Sequence, residues 1–408
     1  MQKFSKSVLK TLTKALKPVV PLSRLPFNQS FIYPTFSFST ATAISSETSS
    51  DNKATQKLRD TVAKNTDKGL ALLSTFKGNE SAKKFKAALK ALTQLSAEET
   101  KDGVTLYTHL TEAYIMDQKP KKALESIQKA SEINKRIFGE DHSSMVKIKQ
   151  IYTQVLIGLG KHREAVQQLN EAIILADKYL KEDCSAQSSL HSLSGQIYHI
   201  TGNHKQAIES YNIALQWDMR NPKPDPVHTA SIYEALGRIK HDLGYFKESF
   251  VDLNKALDVW KAAKQENTHP EAGELYRAMA SSLQSQGRMQ EAEAYYLKAL
   301  EVLKKTLDED DLKILHTYND LGTFYSDQGR PQEALDIHLQ ILDSYKKILG
   351  DKHPQISTSY NNIASTLLDL GRCEEAKKYL EMDEKLIHQT YGKSHPNLST
   401  TYSNLGTV

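Results

Sequence analysis

An all-α fold, a right-handed superhelical solenoid of antiparallel helix pairs, is what this sequence predicts, and three observations predict it. A small residue recurs at Ala123, Ala165, Ala207, Ser249, Ala292, Ala334 and Ala376, with successive steps of 42, 42, 42, 43, 42 and 42. The turn glycines Gly160, Gly202, Gly244, Gly287, Gly329 and Gly371 precede the last six of these by five places and keep the same step. Between Gly329 and Leu380 the unit is laid out in full. Gly-Arg-x-x-Glu-Ala opens a helix with an apolar stripe, a Gly-x-x-His-Pro turn follows, and a Tyr-containing helix leads to the next Gly-Arg-x-x-Glu-Ala. A fixed period of this size means stacked hairpins, none of which buries its apolar face alone.

Taken in order, residues 1–50 read as a leader. Lys3, Lys6, Lys10, Lys14 and Lys17 share one sector of a helical wheel and Phe4, Val8, Leu12, Ala15 and Leu16 cluster opposite, until Pro18 stops the helix. A Ser/Thr/Phe-rich tract without acids follows, the composition of a cleavable organellar transit peptide. A mitochondrial destination is preferred over a chloroplast one because a cationic amphipathic helix stands at the very start. A retained interfacial helix and a cytoplasmic chain with a disordered tail are the other readings.

Residues 51–102 read as two N-terminal capping helices, broken at Lys77-Gly78-Asn79 and lacking the small residues of the repeat. Residues 103–391 form seven hairpins. Twelve places before each recurring small residue stands a second one, Thr111, Thr153, Gly195, Gly237, Ala280, Gly322 or Ala364, so the two backbones can approach closely. A third stands seven places after it, at Ala130, Ala172, Ala214, Ala256 and Ala299. Ile341 and Asp383 replace it in the last two repeats, which predicts looser or differently angled packing there. Residues 392–408 match the first helix of an incomplete eighth repeat, with Tyr402 and Leu405 placed to pack on the seventh.

Composition excludes several functions. Residues 1–50 hold six of the 53 Lys/Arg against one acid, which leaves 47 against 48 for the rest, so bulk charge does not favour nucleic acid as a partner. No run approaches the roughly 18–20 apolar residues of a membrane-spanning helix. Cys184 and Cys373 stand alone, outside any metal or redox spacing, and read as free thiols. The linker histidines His142, His269, His353 and His395 lie a repeat or more apart, too far to share one ion, and read as structural. No phosphate-loop, nucleophile-elbow, zinc-protease or dinucleotide motif occurs. The expectation is therefore no enzyme, no cofactor and no metal.

The small-residue positions, the Gly-Arg-x-x-Glu-Ala turns and the Tyr-rich first helices resemble the tetratricopeptide repeat (TPR). The 42-residue unit, with its Gly-x-x-His-Pro linkers and the Tyr-Asn-Asn-Ile-Ala and Tyr-Ser-Asn-Leu-Gly helix starts, is similar to the kinesin-light-chain variety of that repeat. The resemblance implies a TPR solenoid whose first helices line a concave groove that holds a partner protein or peptide. Carried over by register, the groove residues are Gln154, Gln196, Glu234, Arg238, His241, Arg277, Asn319 and Asn361. With Arg238 and Arg277 in successive repeats, an acidic or carboxylate-terminated peptide is the expected ligand class. Pairing of these arginines with Glu234 and Glu274 is the alternative. An organellar RNA-binding repeat factor and a cytosolic kinesin-light-chain-like adaptor stay open as functions. A monomer or weak end-to-end dimer is expected, with no small-molecule substrate.

Overall fold

The computed structural model describes residues 53–75, 77–391 and 398–407. Among the described residues there are seventeen α-helices and no strand, so the chain is all-α as predicted. They are α1 (Lys53–Ser74), α2 (Gly78–Gln94), α3 (Lys101–Met116), α4 (Pro120–Phe138), α5 (Ser144–Gly158), α6 (His162–Tyr179), α7 (Cys184–Ile200), α8 (His204–Arg220), α9 (Pro226–Asp242), α10 (Phe246–Ala262), α11 (Pro270–Ser285), α12 (Met289–Thr306), α13 (Leu312–Asp327), α14 (Pro331–Leu349), α15 (Pro354–Asp369), α16 (Cys373–Tyr391) and α17 (Leu398–Leu405). The described residues fall into two compact units, one ending at Ile239 and one starting at Lys240. The expected leader and the linker histidine His395 lie outside the described residues.

Hairpins close where a backbone passes under a large side chain. A Cβ added to Gly195 of α7 would lie 2.8 Å from the Tyr211 ring of α8, and one added to Gly322 of α13 would lie 2.7 Å from the His338 imidazole of α14. Ala123, Ala165, Ala207, Ser249, Ala292, Ala334 and Ala376 have no exposed surface, nor do the third-position alanines Ala130, Ala172, Ala214, Ala256 and Ala299. Volume is shared between partners. Where the small partner is Thr153 the large one is Leu169, whereas at Gly195 and Gly322 it is an aromatic ring. Apolar interiors then run through each unit, around Ile127, Leu156, Leu169 and Ile197 in the first and around Leu300, Phe324, Ile341 and Ile363 in the second.

Two expectations are corrected. Helices α1 and α2 do carry the repeat's small residues: Gly69 lies under Phe85, and buried Ser81, one 42-residue step before Ala123, donates its hydroxyl to Gly69 O at 2.7 Å. The Gly-Arg turn is missing there, which hid the match. The expected break does fall here, between Ser74 and Gly78, and Gly78 opens α2, where a Cβ would lie 2.8 Å from Ala113 O. The second correction concerns the last repeats. Ile341 is buried in the core, and fully buried Asp383 of α16 accepts from Asn361 of α15 (2.5 Å) and Thr401 of α17 (2.6 Å), so a polar clasp replaces the alanine contact. Leu405 packs on this core as expected, while Tyr402 is half exposed and reaches Glu384.

Turns within hairpins are only three residues long because the last of them does two jobs. Gly160, Gly202, Gly244, Gly287, Gly329 and Gly371 have φ between 69° and 78°, the left-handed conformation that ends a helix. In the second unit, the following residue closes that end with Arg288 N→Leu283 O, Arg330 N→Tyr325 O and Arg372 N→Leu367 O, and stands as N-cap of the next helix. Its guanidinium grips the acid three places on, as in Arg330 Nε→Glu333 Oε1 (2.6 Å) and Nη2→Oε2 (2.7 Å), which accounts for the Gly-Arg-x-x-Glu motif.

The linker histidines are helix caps. Nδ1 of His142, His269 and His353 accepts the backbone N–H two residues on, at 3.1, 3.2 and 3.2 Å, and Asp225 and Asp311 do the same at equivalent linkers with a carboxylate oxygen at 3.1 and 2.8 Å. Asp183 caps Ala186 N at 3.0 Å. Histidine and aspartate thus exchange at one structural position. Only a neutral imidazole can accept there. Burial holds His269 at about 4 and lowers His353 as well.

These observations carry two predictions. A histidine depressed in the folded state costs stability as pH falls from its unfolded value of about 6.5 to its folded one of about 4, so the second unit should lose on the order of 3 kcal/mol over that window at His269. Thermal melts should show the loss, and His269→Asp, which keeps an acceptor, should flatten the curve. Gly195→Ala should cost about 1–3 kcal/mol by pressing on Tyr211, and Tyr211→Leu should offset most of it in a double-mutant cycle. Additive costs would refute the packing account.

Candidate functional site

The expected groove residues lie on one stripe of the first helices. Gln154, Gln196 and Arg238 occupy equivalent places on α5, α7 and α9, and Glu234 sits one turn before Arg238. Both Nε and Nη2 of Arg238 donate to Glu234 Oε1, at 2.9 and 2.7 Å, and both side chains are largely buried. Gln154 Oε1 is buried with no hydrogen-bond partner among the described residues.

In the second unit His241, Arg277, Asn319 and Asn361 take part in a ladder. Arg277 Nη1 on α11 donates to Asp320 Oδ2 on α13 at 2.8 Å. Asn362 Nδ2 on α15 donates to Asn319 Oδ1 on α13 at 2.8 Å, and Asn404 Nδ2 on α17 to Asn361 Oδ1 on α15 at 3.3 Å. A second rung lies two turns further along each helix. Gln284 donates to Asp327 at 2.9 Å, Ser326 donates to Asp369 at 3.0 Å, and His241 and Ser285 share a bond of 3.0 Å. Near the helix starts Lys313 meets Glu271. The partners of the α11 to α17 rungs stand 43 residues apart, one more than the repeat. The offset follows from geometry, because a side chain leaning toward the next helix meets the residue beside its own equivalent.

Arg277 is the most committed member. It is 8 % exposed and gives its other terminal nitrogen to Glu274 Oε2 at 2.7 Å. Burial works to lower its pKa, but Glu274 and Asp320 outweigh this and push it up. The neighbouring His316 is held down by burial and by the Arg277 charge. Both arginines therefore hold carboxylates of their own chain. An acidic ligand would have to displace Glu234 or Glu274, so the expectation that these guanidiniums are open to a partner's carboxylate is revised.

Sequence reasoning missed Asp320, Asn362, Asn404, Asp327, Asp369 and Ser285. The signal was available as polar pairs at n and n+43, but a search in strict 42-residue register passes over it. Outside the ladder stand hydroxyls at steps of 42 residues, half-buried Ser281 and exposed Thr323 and Ser365, with exposed Thr358 two turns before Ser365 and the Thr323 hydroxyl donating to Asn319 O at 3.1 Å. Among the described residues no group of three or more His, Cys, Asp or Glu is placed to hold a metal ion.

Tetratricopeptide repeat models match residues 228–305, 271–347 and 313–382, and a second such model matches 188–219. Among solved structures the chain is similar to BtubC (BKLC) from P. vanneervenii, at 20% identity over 57% of this chain and 91% of that one, with a TM-score of 0.50. It is also similar to the apo form of RapI, at 14% identity over 74% and 86% with a TM-score of 0.52. A Rap protein complexed with competence and sporulation factor shares 14% identity over 74% and 80%, with a TM-score of 0.56. These likenesses show the fold. No curated protein matches the chain.

Removing one member of a buried ion cluster leaves charges without a counterion. Arg277→Ala should destabilise the protein by about 3–5 kcal/mol, measured by denaturant unfolding, and adding Glu274→Gln should restore a large part of it. An Arg277→Ala change below about 1 kcal/mol would show that the guanidinium is not holding the helices together.

Proposed function

We propose that this chain of tetratricopeptide repeats is a non-catalytic protein-interaction scaffold, which holds an extended segment of a partner polypeptide along the first helices of its repeats. One observation carries the reading: the ladder fixes the spacing of α11, α13, α15 and α17 and leaves Ser281, Thr323 and Ser365 as evenly stepped hydroxyls outside it. Hydroxyls donate and accept, so they suit the amides of a peptide backbone and impose little side-chain preference. A rail of this kind selects for an extended chain because its groups repeat along a line, whereas a small-molecule site needs groups that converge. The basic, acid-poor leader favours mitochondria as the place where it acts.

Purification from isolated organelles with the leaderless protein as bait tests the scaffold role. A Ser281→Arg/Thr323→Arg/Ser365→Arg variant should lose most co-purifying partners, while Ala294→Arg/Gln340→Arg/Glu381→Arg, on exposed positions of the second helices, should keep them. If the first variant retains the full set, the stripe is not the binding surface. Residues 1–50 fused to a fluorescent reporter should deliver it to mitochondria, and a diffuse cytosolic signal would end the import reading.

A further inference from the structure

The first hairpin has a charge unlike the rest of the chain. Residues 53–94 carry ten Lys/Arg against three acids, Asp60, Asp67 and Glu80. On α1 the lysines are ordered. With Val62 at the centre of the buried face, Lys53, Lys57, Lys64 and Lys68 fall within about 60° of one another on the far side. All four are exposed and none forms an ion pair among the described residues. Asp60 and Asp67 border this stripe, and Asp60 already accepts from Gln56 at 2.9 Å. On α2, Lys83, Lys86 and Lys90 share an outward sector in the same way, likewise without a carboxylate partner. Lys86 rests over the Tyr114 ring at 5.4 Å.

Nothing in the fold requires this arrangement. Elsewhere many exposed cations meet carboxylates at helical spacing, as in Lys161 with Glu164, Arg288 with Glu291 and Lys298 with Glu301, and those that do not, such as Lys121, Lys122, Lys347 and Lys378, are spread over several helices. Seven cations on one hairpin, without a carboxylate partner among the described residues, repel one another and cost stability.

We propose that the α1–α2 hairpin is a docking surface for an anionic lipid bilayer, bound from outside without insertion. Three features choose the bilayer over other polyanions. The apolar side of α1, Val62, Gly69 and Leu73, is spent on packing within the chain, so the helix meets a membrane with its charged side only. The aromatic ring described in these two helices, Phe85, is fully buried, so among the described residues of the hairpin there is no exposed ring on which nucleic-acid bases could stack. The outward cations are all lysines, whose compact charge suits a diffuse anionic plane, whereas phosphate-specific recognition favours the forked guanidinium. No helix among the described residues is long and apolar enough to cross a membrane, so attachment of this kind is peripheral.

Each lysine near such a surface contributes about fivefold to binding, from about 1 kcal/mol per charge. The full-length chain should float with vesicles of phosphatidylcholine and phosphatidylserine at low salt, stay behind with phosphatidylcholine alone, and be released at roughly 0.5 M salt, where screening acts over about 4 Å. Lys57→Gln/Lys64→Gln/Lys68→Gln should weaken partitioning about 100-fold, and Lys83→Gln/Lys86→Gln/Lys90→Gln by a similar factor, with unchanged circular dichroism. Lys305→Gln/Lys347→Gln/Lys378→Gln, on the second helices of other hairpins, should have no effect. Absence of vesicle binding overturns the proposal, as does binding that either hairpin variant leaves intact. So does salt-sensitive retention of single-stranded RNA, or self-association seen by light scattering, if the hairpin variants abolish it while vesicles are not bound.

Discussion

Each hairpin depends on a contact between a helix backbone and a bulky side chain opposite it. Glycine at 195 and 322 makes room for Tyr211 and His338, and the same trade of volume sets Gly69 under Phe85. Two helices approach only as far as the larger residue at their crossing allows, so the small position fixes the distance and the large one fills the space left. Everything outside that crossing is secondary to it: the turn brings the helices round, and the interior forms because they are already close.

This constraint explains why the fold was legible in the sequence and why the site was legible only in part. Small residues at fixed intervals are a one-letter signal, since little besides alanine, glycine, serine or threonine fits, and seven hairpins could be counted from them. The first hairpin escaped because Ser81 lacked a Gly-Arg turn to announce it, although its packing follows the same rule. Asp383 misled in the other direction. A carboxylate in an alanine position suggested weak packing, but three neighbouring helices meet through it. Polar residues are harder to read than small ones because their effect depends on which partner is in reach.

The stripe of first helices shows the same difficulty. Eight residues could be assigned to it from register, yet register alone did not say that Arg238 and Arg277 are held by carboxylates of the chain, or that Asn319 and Asn361 are occupied by Asn362 and Asn404. The groups first expected to grip a partner thus brace one helix against the next. A surface braced in this way keeps its spacing when nothing is bound, which lowers the ordering cost of binding a flexible chain.

The joints of the molecule differ in how much length they tolerate. Inside a hairpin there is no slack, because the residue after the glycine closes one helix and opens the other. Between hairpins there is some. The one 43-residue step falls where the linker ahead of His269 is longer, and Lys264 absorbs the extra residue by taking a φ of 56°. Duplications, epitope tags or fluorescent inserts are therefore best accommodated in these linkers, the stretch from Asn221 to Asp225 among them, while the same insert beside a turn glycine would pull apart the two helices it joins.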